Sequence, residues 1–117
     1  MGKLTTHVLD TMRGKPGSGM ALELYRLHED RRELLMRGLT NHDGRNSAPL
    51  LTDEAMQAGI YELDFHVGDY FATLGVTQTE PRFLDVVTLR FGIADMKASL
   101  HVPLLVSPYS YSTYRGS

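Results

Sequence analysis

The last eighteen residues constrain the fold of this chain more than any other stretch. They read LHVPLLVSPYSYSTYRGS, and from position 100 to 107 every second side chain is aliphatic: Leu100, Val102, Leu104 and Val106. After Ser107-Pro108 the alternation resumes through three tyrosines. Alternation with a period of two, carried by β-branched and aromatic residues, is typical of β-strands. The sequence therefore predicts two adjoining strands that end inside a structured region rather than in a frayed tail.

Three further segments alternate in the same way. Residues 4–10 (LTTHVLD) end at the turn signal GKPG, and residues 59–67 (GIYELDFHV) and 85–93 (DVVTLRFGI) repeat the pattern. Between the last two, the segment YFATL predicts a short helix that Asp69 caps and Gly75 ends. About seven or eight short strands and one helix favour a β-sandwich.

Composition excludes several classes of function. The formal net charge is −2 and no run of Lys or Arg occurs, which argues against nucleic-acid binding. The chain has no cysteine, so a disulfide, a thiolate nucleophile and a zinc–thiolate site are impossible. It has no HExxH motif, phosphate-binding glycine loop or G-x-S-x-G elbow. We therefore expect neither a metal nor a cofactor. No apolar run approaches the ~20 residues of a membrane span, so we expect no membrane partner.

Length and the N-terminus set two further expectations. At 117 residues the chain can bury a real core, and we predict a single domain over residues 1–117. The N-terminus has no charged-then-apolar signal segment, which predicts a cytoplasmic protein. The alternative is a mature periplasmic form from which such a segment has been removed.

Four elements carry residue types that hydrolytic chemistry uses: His7, Arg45, His101 and the terminal YRGS, which contains Tyr114 and Ser117. Each also has a plain structural interpretation. A strand histidine is usually a half-exposed polar residue, and an arginine after an Asp-Gly turn is usually a solvated charge. A tyrosine-rich strand is more often part of a core or a subunit interface than a substrate platform.

The segment NHDGR predicts a tight turn immediately before the candidate arginine. In this prediction the Asp43 side chain supports the turn, and Gly44 supplies a positive φ. Such a turn can hold Arg45 in a fixed direction at the end of a strand.

Segments from the first strand to the last residue resemble the transthyretin-related proteins. The enzyme branch of this family is the 5-hydroxyisourate hydrolases and its carrier branch is transthyretin. The matching segments are THVLD, the GKP turn, TNHDGR, LHVP and SPYSYST, and the terminal YRGS resembles the enzyme branch only. The resemblance implies an all-β fold, a transthyretin-like β-sandwich of two antiparallel four-stranded sheets with one short helix.

The resemblance also bears on an ambiguous segment, residues 20–39. Its leucines lie at helical spacing and it is rich in helix formers, so taken alone it predicts a helix. The family pattern instead places two strands there, with a turn at residues 28–30. We expect strands, because tertiary pairing can override a weak propensity.

For function, the resemblance implies hydrolysis of 5-hydroxyisourate to 2-oxo-4-hydroxy-4-carboxy-5-ureidoimidazoline in urate degradation. It implies catalysis by His7, Arg45 and His101, and substrate binding by His7, Arg45, Tyr114 and Ser117. An imidazole can take a proton from the attacking water, and a guanidinium can bind ring oxygens and developing charge. The residues do not say which histidine is the base. Since family members are homotetramers, we also expect a homotetramer with its sites at the dimer–dimer interface.

Two alternatives stay open at the level of sequence. One is a transthyretin-like carrier that binds a small aromatic ligand without catalysis. The other is a structural or interaction sandwich with no chemistry in its cleft. The joint presence of both histidines, Arg45 and YRGS favours the enzyme, since the carrier branch lacks this set.

Overall fold

A computed structural model describes residues 2–116, and most of them lie in or between short strands. The strands are β1 (Lys3–Thr5), β2 (Val8–Asp10), β3 (Lys15–Pro16), β4 (Ala21–Leu27), β5 (Arg32–Leu39), β6 (Leu51–Thr52), β7 (Gly59–His66), β8 (Val86–Ile93), β9 (Ser99–His101), β10 (Leu104–Ser107) and β11 (Ser110–Thr113). Within the described residues there is one α-helix, α1 (Val67–Thr73), and one 3-10 turn (Asp53–Ala55).

The longest strands form one antiparallel sheet in the order β5-β4-β7-β8. Along β7 the alternation buries Tyr61 and Phe65, whose exposed fractions are at most 1%. On the opposite face Glu62 and Asp64 form ion pairs with Arg32 at 2.9 and 3.1 Å. One face of this sheet is therefore apolar and the other carries paired charges, as period-two patterning requires.

The prediction of strands in residues 20–39 is confirmed. β4 pairs with β5 from Ala21–Leu39 to Leu27–Arg32, and the connection covers residues 28–31. The helical spacing of the leucines does not produce a helix, because β4 pairs with a strand on each edge, β5 and β7. Leu22 and Leu24 are completely buried by this pairing.

The second layer corrects the expectation of two four-stranded antiparallel sheets. It consists of two separate sheets, β6-β1-β9 and β11-β10-β2-β3, so the hydrogen-bonded sheets have three, four and four strands. β1 pairs with β9, and β2 with β10, in parallel rather than antiparallel orientation.

The layer divides between β1 and β2 and, opposite them, between β9 and β10. Pro103, which has no N–H to donate, lies at the division. The backbones on the two sides stay linked, because the N–H groups of Val102 and Leu104 donate to the carbonyl oxygens of Thr5 and His7, both at 2.9 Å.

A single hydrophobic cluster joins the layers. Its fully buried members come from both layers, from α1 and from the residue before β4: Leu4, Val8, Met20, Leu22, Leu24, Leu63, Phe65, Val67, Phe71, Leu104 and Val106. Burial of each such side chain contributes roughly 1.5–3 kcal/mol to folding. The core therefore fixes the strands that carry the candidate residues.

Helix α1 begins earlier than the sequence predicts. Its N-cap is His66, and Asp69 lies inside the first turn, where it accepts a hydrogen bond from Arg82 at 2.7 Å instead of capping the helix. The predicted stop is confirmed, since Gly75 follows the helix with φ of +79°. Among residues 2–116, no helix is long and apolar enough to span a membrane.

Candidate active site

Two histidines meet at the division in the second layer: His7 between β1 and β2, and His101 at the end of β9. Nδ1 of His7 lies 2.6 Å from Nε2 of His101. The ring centroids are 4.8 Å apart and the planes differ by only 19°. At this nitrogen–nitrogen distance the rings lie nearly edge to edge in one plane, so the contact is a hydrogen bond rather than a face-to-face stack.

The register of the parallel strands explains the meeting. Leu104 of β10 lies beside Val8 of β2, and His101 of β9 lies beside Thr5 of β1. Buried residues on either side of His7, Thr6 and Val8, point into the core, so the alternation turns His7 outward.

Arg45 is brought to the same place by a tight turn. Its backbone forms an isolated antiparallel bridge with His7, and the Val8 N–H donates to the Gly44 carbonyl oxygen at 2.8 Å. Gly44 has the expected positive φ of +75°, and a Cβ atom there would collide with the carbonyl oxygen of Val8. Only glycine fits this turn without displacing the first strand.

The side chain that supports the turn is not the predicted one. Oδ1 of Asn41 accepts hydrogen bonds from the N–H groups of Asp43 (2.9 Å) and Arg45 (3.2 Å). Asp43 instead lies 3.5 Å from the imidazole of His42 at the surface. An Asn side chain at the start of a turn can accept a hydrogen bond from the backbone N–H two residues later, as Asn41 does from Asp43.

The end of the chain reaches the histidine pair. The N–H of Gly116 donates to the carbonyl oxygen of His101 at 2.7 Å, and the His101 N–H donates back at 3.3 Å. Tyr114, whose side chain is 56% exposed, lines the cleft beside the pair. The predicted substrate-binding Ser117 lies outside the described residues.

Together these elements form an open cleft of about 710 Å³, a volume in the range of small-molecule sites. Its lining is polar and positively charged: Lys3, Thr5, His7, Arg45, His101, Tyr114, Arg115 and Gly116. The structure therefore brings together His7, Arg45, His101 and Tyr114; their chemical roles stay predictions. Three basic side chains suit an anionic, oxygen-rich ligand.

Sequence reasoning missed two residues of this cleft, Lys3 and Thr5. The signal was present in the alternation of the first strand, because Lys3 and Thr5 lie on the same face as His7. Oγ1 of Thr5 lies 2.8 Å from Nδ1 of His101, which completes a chain of contacts from Thr5 through His101 to His7.

The charges and burial of the cleft keep both imidazoles neutral. Burial lowers the pKa of His7, and the neighbouring His101 and Arg45 lower it further. Burial, followed by the charge of Arg45, also lowers the pKa of His101. Since the ordinary value is 6.5, both rings are largely unprotonated at neutral pH and can accept a proton.

A metal centre has no ligand set in the described part of the chain. No group of three or more His, Asp or Glu side chains in residues 2–116 is arranged to hold a metal ion.

Comparison with known proteins decides the family. The model of the HIUase/Transthyretin family matches residues 4–116. The chain belongs to this family. A protein of Ralstonia nicotianae named 5-hydroxyisourate hydrolase is 62% identical over 117 residues, which is the full length of both chains. One of the same name from Pseudomonas aeruginosa is 56% identical and matches all of this chain and 93% of its own length.

Two solved structures superimpose on this chain. The Klebsiella pneumoniae 5-hydroxyisourate hydrolase superimposes with a TM-score of 0.82 at 32% identity, over the full length of both chains. The crystal structure of an (S)-allantoin synthase superimposes with a TM-score of 0.94 at 45% identity. This chain spans only 44% of that longer protein. The transthyretin-like fold is therefore shared.

Proposed function

We propose that this chain hydrolyses 5-hydroxyisourate to 2-oxo-4-hydroxy-4-carboxy-5-ureidoimidazoline in urate degradation. The observation that carries the proposal is the hydrogen-bonded pair of His7 and His101 beside Arg45 in one basic cleft. It occurs in a chain whose full-length relatives, 62% and 56% identical, bear the name of that enzyme.

The reaction adds one water to the substrate. The water oxygen bonds to a ring carbonyl carbon, the C–N bond to that carbon breaks, and the nitrogen leaves with a proton. The ring opens to a ureido group and a carboxylic acid, which ionises. A base that accepts the water proton and returns it to the nitrogen balances the reaction without a cofactor.

The histidine pair supplies such a base in this proposal. Nδ1 of His7 is engaged with His101, so Nε2 is the nitrogen left for water. Both imidazoles have lowered pKa values, which keeps a lone pair available at neutral pH.

Arg45 stabilises the substrate and the negative charge that builds on the attacked carbonyl oxygen. Its guanidinium offers planar donors that suit ring oxygens, and none of its side-chain atoms hydrogen-bonds to residues 2–116. Donors of this kind are typically worth about 3 kcal/mol of activation free energy. Tyr114 offers a flat face to the ring, and Ser117 is assigned to substrate binding by the family resemblance alone.

The proposal is tested by generating 5-hydroxyisourate from urate with urate oxidase and following its ultraviolet decay. Acceleration by the wild-type protein, and its loss in His7→Ala, Arg45→Ala and His101→Ala, would support the enzyme. Unchanged decay together with tight binding of an aromatic ligand would instead support the carrier alternative.

We further propose a homotetramer with the cleft at the interface between two dimers. The support is the open side of the cleft and the exposed aromatic side chains around the last strand: Phe83, Tyr109, Tyr111 and Tyr114. Light scattering coupled to size exclusion should give four times the mass of one chain, and activity should fall on dilution below the dissociation constant. A fully active monomer would contradict this assembly.

A further inference from the structure

Thr5 and His7 contact opposite nitrogens of the His101 ring. Its Oγ1 atom lies 2.8 Å from Nδ1 of His101, while Nε2 of His101 lies 2.6 Å from Nδ1 of His7. The parallel register of β1 and β9 sets Thr5 directly beside His101. Both ring nitrogens of His101 are therefore engaged, and neither is left for substrate or water.

When both imidazoles are neutral, the protons along Thr5, His101 and His7 can be placed in two ways. Only one of them leaves an imidazole lone pair facing the cleft. If Thr5 donates to Nδ1 of His101, then His101 donates from Nε2 to His7, and the remaining proton of His7 is on Nε2. In that arrangement no imidazole nitrogen offers a lone pair to the cleft. If His101 instead donates from Nδ1 to Thr5, it accepts from His7, and Nε2 of His7 keeps its lone pair.

The side chain of Thr5 is free to accept. Within residues 2–116 its hydroxyl hydrogen-bonds only to His101, so both oxygen lone pairs are available there. The neighbouring Thr6 is different, because its hydroxyl is buried and donates to the carbonyl oxygen of Val102 at 2.6 Å. Two adjacent threonines thus take separate roles, one toward the cleft and one toward the core.

We propose that Thr5 is a positioning residue that holds His101 protonated on Nδ1 and thereby makes His7 the general base through Nε2. This inference rests on the proposed hydrolysis. When His7 takes the water proton, its Nδ1–H keeps donating to His101, and His101 keeps donating to Thr5. These two hydrogen bonds stabilise the positive charge of the His7 imidazolium, although Lys3, Arg45 and Arg115 line the same cleft.

The first experiment needs no variant. In ¹⁵N-edited spectra of the wild-type imidazoles at pH 7.5 (a value at which about nine-tenths of even an unshifted histidine is neutral), His101 should carry its proton on Nδ1 and His7 on Nδ1. A spectrum with His101 protonated on Nε2 would overturn the inference, whatever the activity of the protein.

The second experiment compares Thr5→Val, Thr5→Ser and the matched control Thr6→Val. Thr5→Val replaces the hydroxyl with a methyl group of similar size. The value of kcat should therefore fall about tenfold with little change in KM, as expected for loss of one neutral hydrogen bond. The protonated nitrogen of His101 should change in the same variant. Thr5→Ser should restore both properties, and Thr6→Val should lower thermal stability while leaving kcat and the tautomer unchanged.

The outcomes separate this inference from the proposed function. If the wild-type protein does not hydrolyse 5-hydroxyisourate, the proposed function fails, and the tautomer is still decided by the spectra. If the wild-type protein is active and folded Thr5→Val has the wild-type kcat and tautomer, Thr5 has no positioning role. Thr5→Ala provides the same comparison if Thr5→Val does not fold.

Discussion

His7 and His101 share a hydrogen bond of 2.6 Å although 94 positions separate them along the chain. The contact exists because β1 and β2 run parallel to β9 and β10, which sets the two rings side by side at the division in their layer. Arg45 on one side and Gly116 on the other are attached to this pair through backbone bridges. We therefore expect the two histidines to titrate as a coupled pair in a basic cleft.

The pair predicts how activity depends on pH. Burial and the neighbouring positive charges lower both pKa values below 6.5, so more than half of the base is unprotonated at pH 6.5. As pH falls, protonation removes the lone pair and activity is lost. We expect kcat/KM for 5-hydroxyisourate to reach a plateau at neutral pH and to decline at low pH with an apparent pKa below 6.5. A limb centred above 6.5 would contradict the assignment.

Replacement of Arg45 should change both catalysis and titration. Arg45→Ala should lower kcat/KM by about 10²–10³, the usual loss for a charge-stabilising donor. Because Arg45 lowers the pKa of both histidines, its removal should also move the acid limb upward. Arg45→Lys keeps the positive charge but loses the planar guanidinium donors. The apparent pKa of the acid limb should therefore match the wild type, while kcat/KM remains low.

The control for this prediction is Arg37→Ala. Arg37 is exposed on β5 and does not line the cleft, so its removal changes net charge equally without touching the site. Its kinetics and pH profile should match the wild type. Similar upward shifts in both alanine variants would mean that net charge, rather than the position of Arg45, sets the titration.

Gly44→Ala should damage the site through the backbone. The residue has φ of +75°, and a Cβ there would strike the carbonyl oxygen of Val8 next to His7. Gly19→Ala is a matched control, because Gly19 has φ of +79° but nothing within 4 Å of an added Cβ. Gly19→Ala should lose about 1 kcal/mol of unfolding free energy, because alanine is strained at a positive φ. Gly44→Ala should lose more and should also lose most of its kcat/KM, as urea unfolding and the decay assay would show.

Much of the fold follows from local patterns. Residues 59–67 and 85–93 predict β7 and β8 within one or two positions because one face of each strand is buried and the alternation is visible. Residues 20–39 needed the family resemblance, since a leucine pattern compatible with a helix is decided by pairing on both edges of β4. The division of the second layer has only one local mark, Pro103, which lacks an N–H. The parallel pairing on either side of it joins strands more than 90 positions apart, which local patterns do not reveal.

The site was predictable as a set of residue types but not as a network. Motifs brought out His7, Arg45, His101 and Tyr114, all of which line one cleft. The alternation places Thr5 on the same strand face as His7, but its role depends on a contact with His101, 96 positions away. The roles of the site residues, the single domain over residues 1–117 and the cytoplasmic location stay predictions.

A polar contact fixes α1 to β2, the strand that begins directly after His7. Oδ2 of the fully buried Asp10 accepts hydrogen bonds from the Tyr70 hydroxyl at 2.8 Å and from Nε of Arg13 at 2.9 Å. Burial raises the pKa of Asp10, but the hydrogen bonds from Arg13 and Tyr70 outweigh it and hold that pKa below its ordinary value of 3.8. The ionised carboxylate therefore stabilises the folded state above pH 3.8, and this contribution is lost as pH falls through the lower folded pKa.

Tyr70→Phe removes one donor from this carboxylate and should cost about 2 kcal/mol of unfolding free energy at pH 7. Because the pKa of Asp10 then rises, the difference between variant and wild type should narrow at pH 3, where the carboxyl is increasingly protonated in the variant and in the unfolded chain. Tyr25→Phe is the control, since the Tyr25 ring packs under Arg32 and its hydroxyl makes no hydrogen bond to residues 2–116. Urea unfolding at both pH values measures each effect. An equal loss for Tyr70→Phe at pH 7 and pH 3 would show that the hydroxyl stabilises α1 by packing rather than through the charge of Asp10.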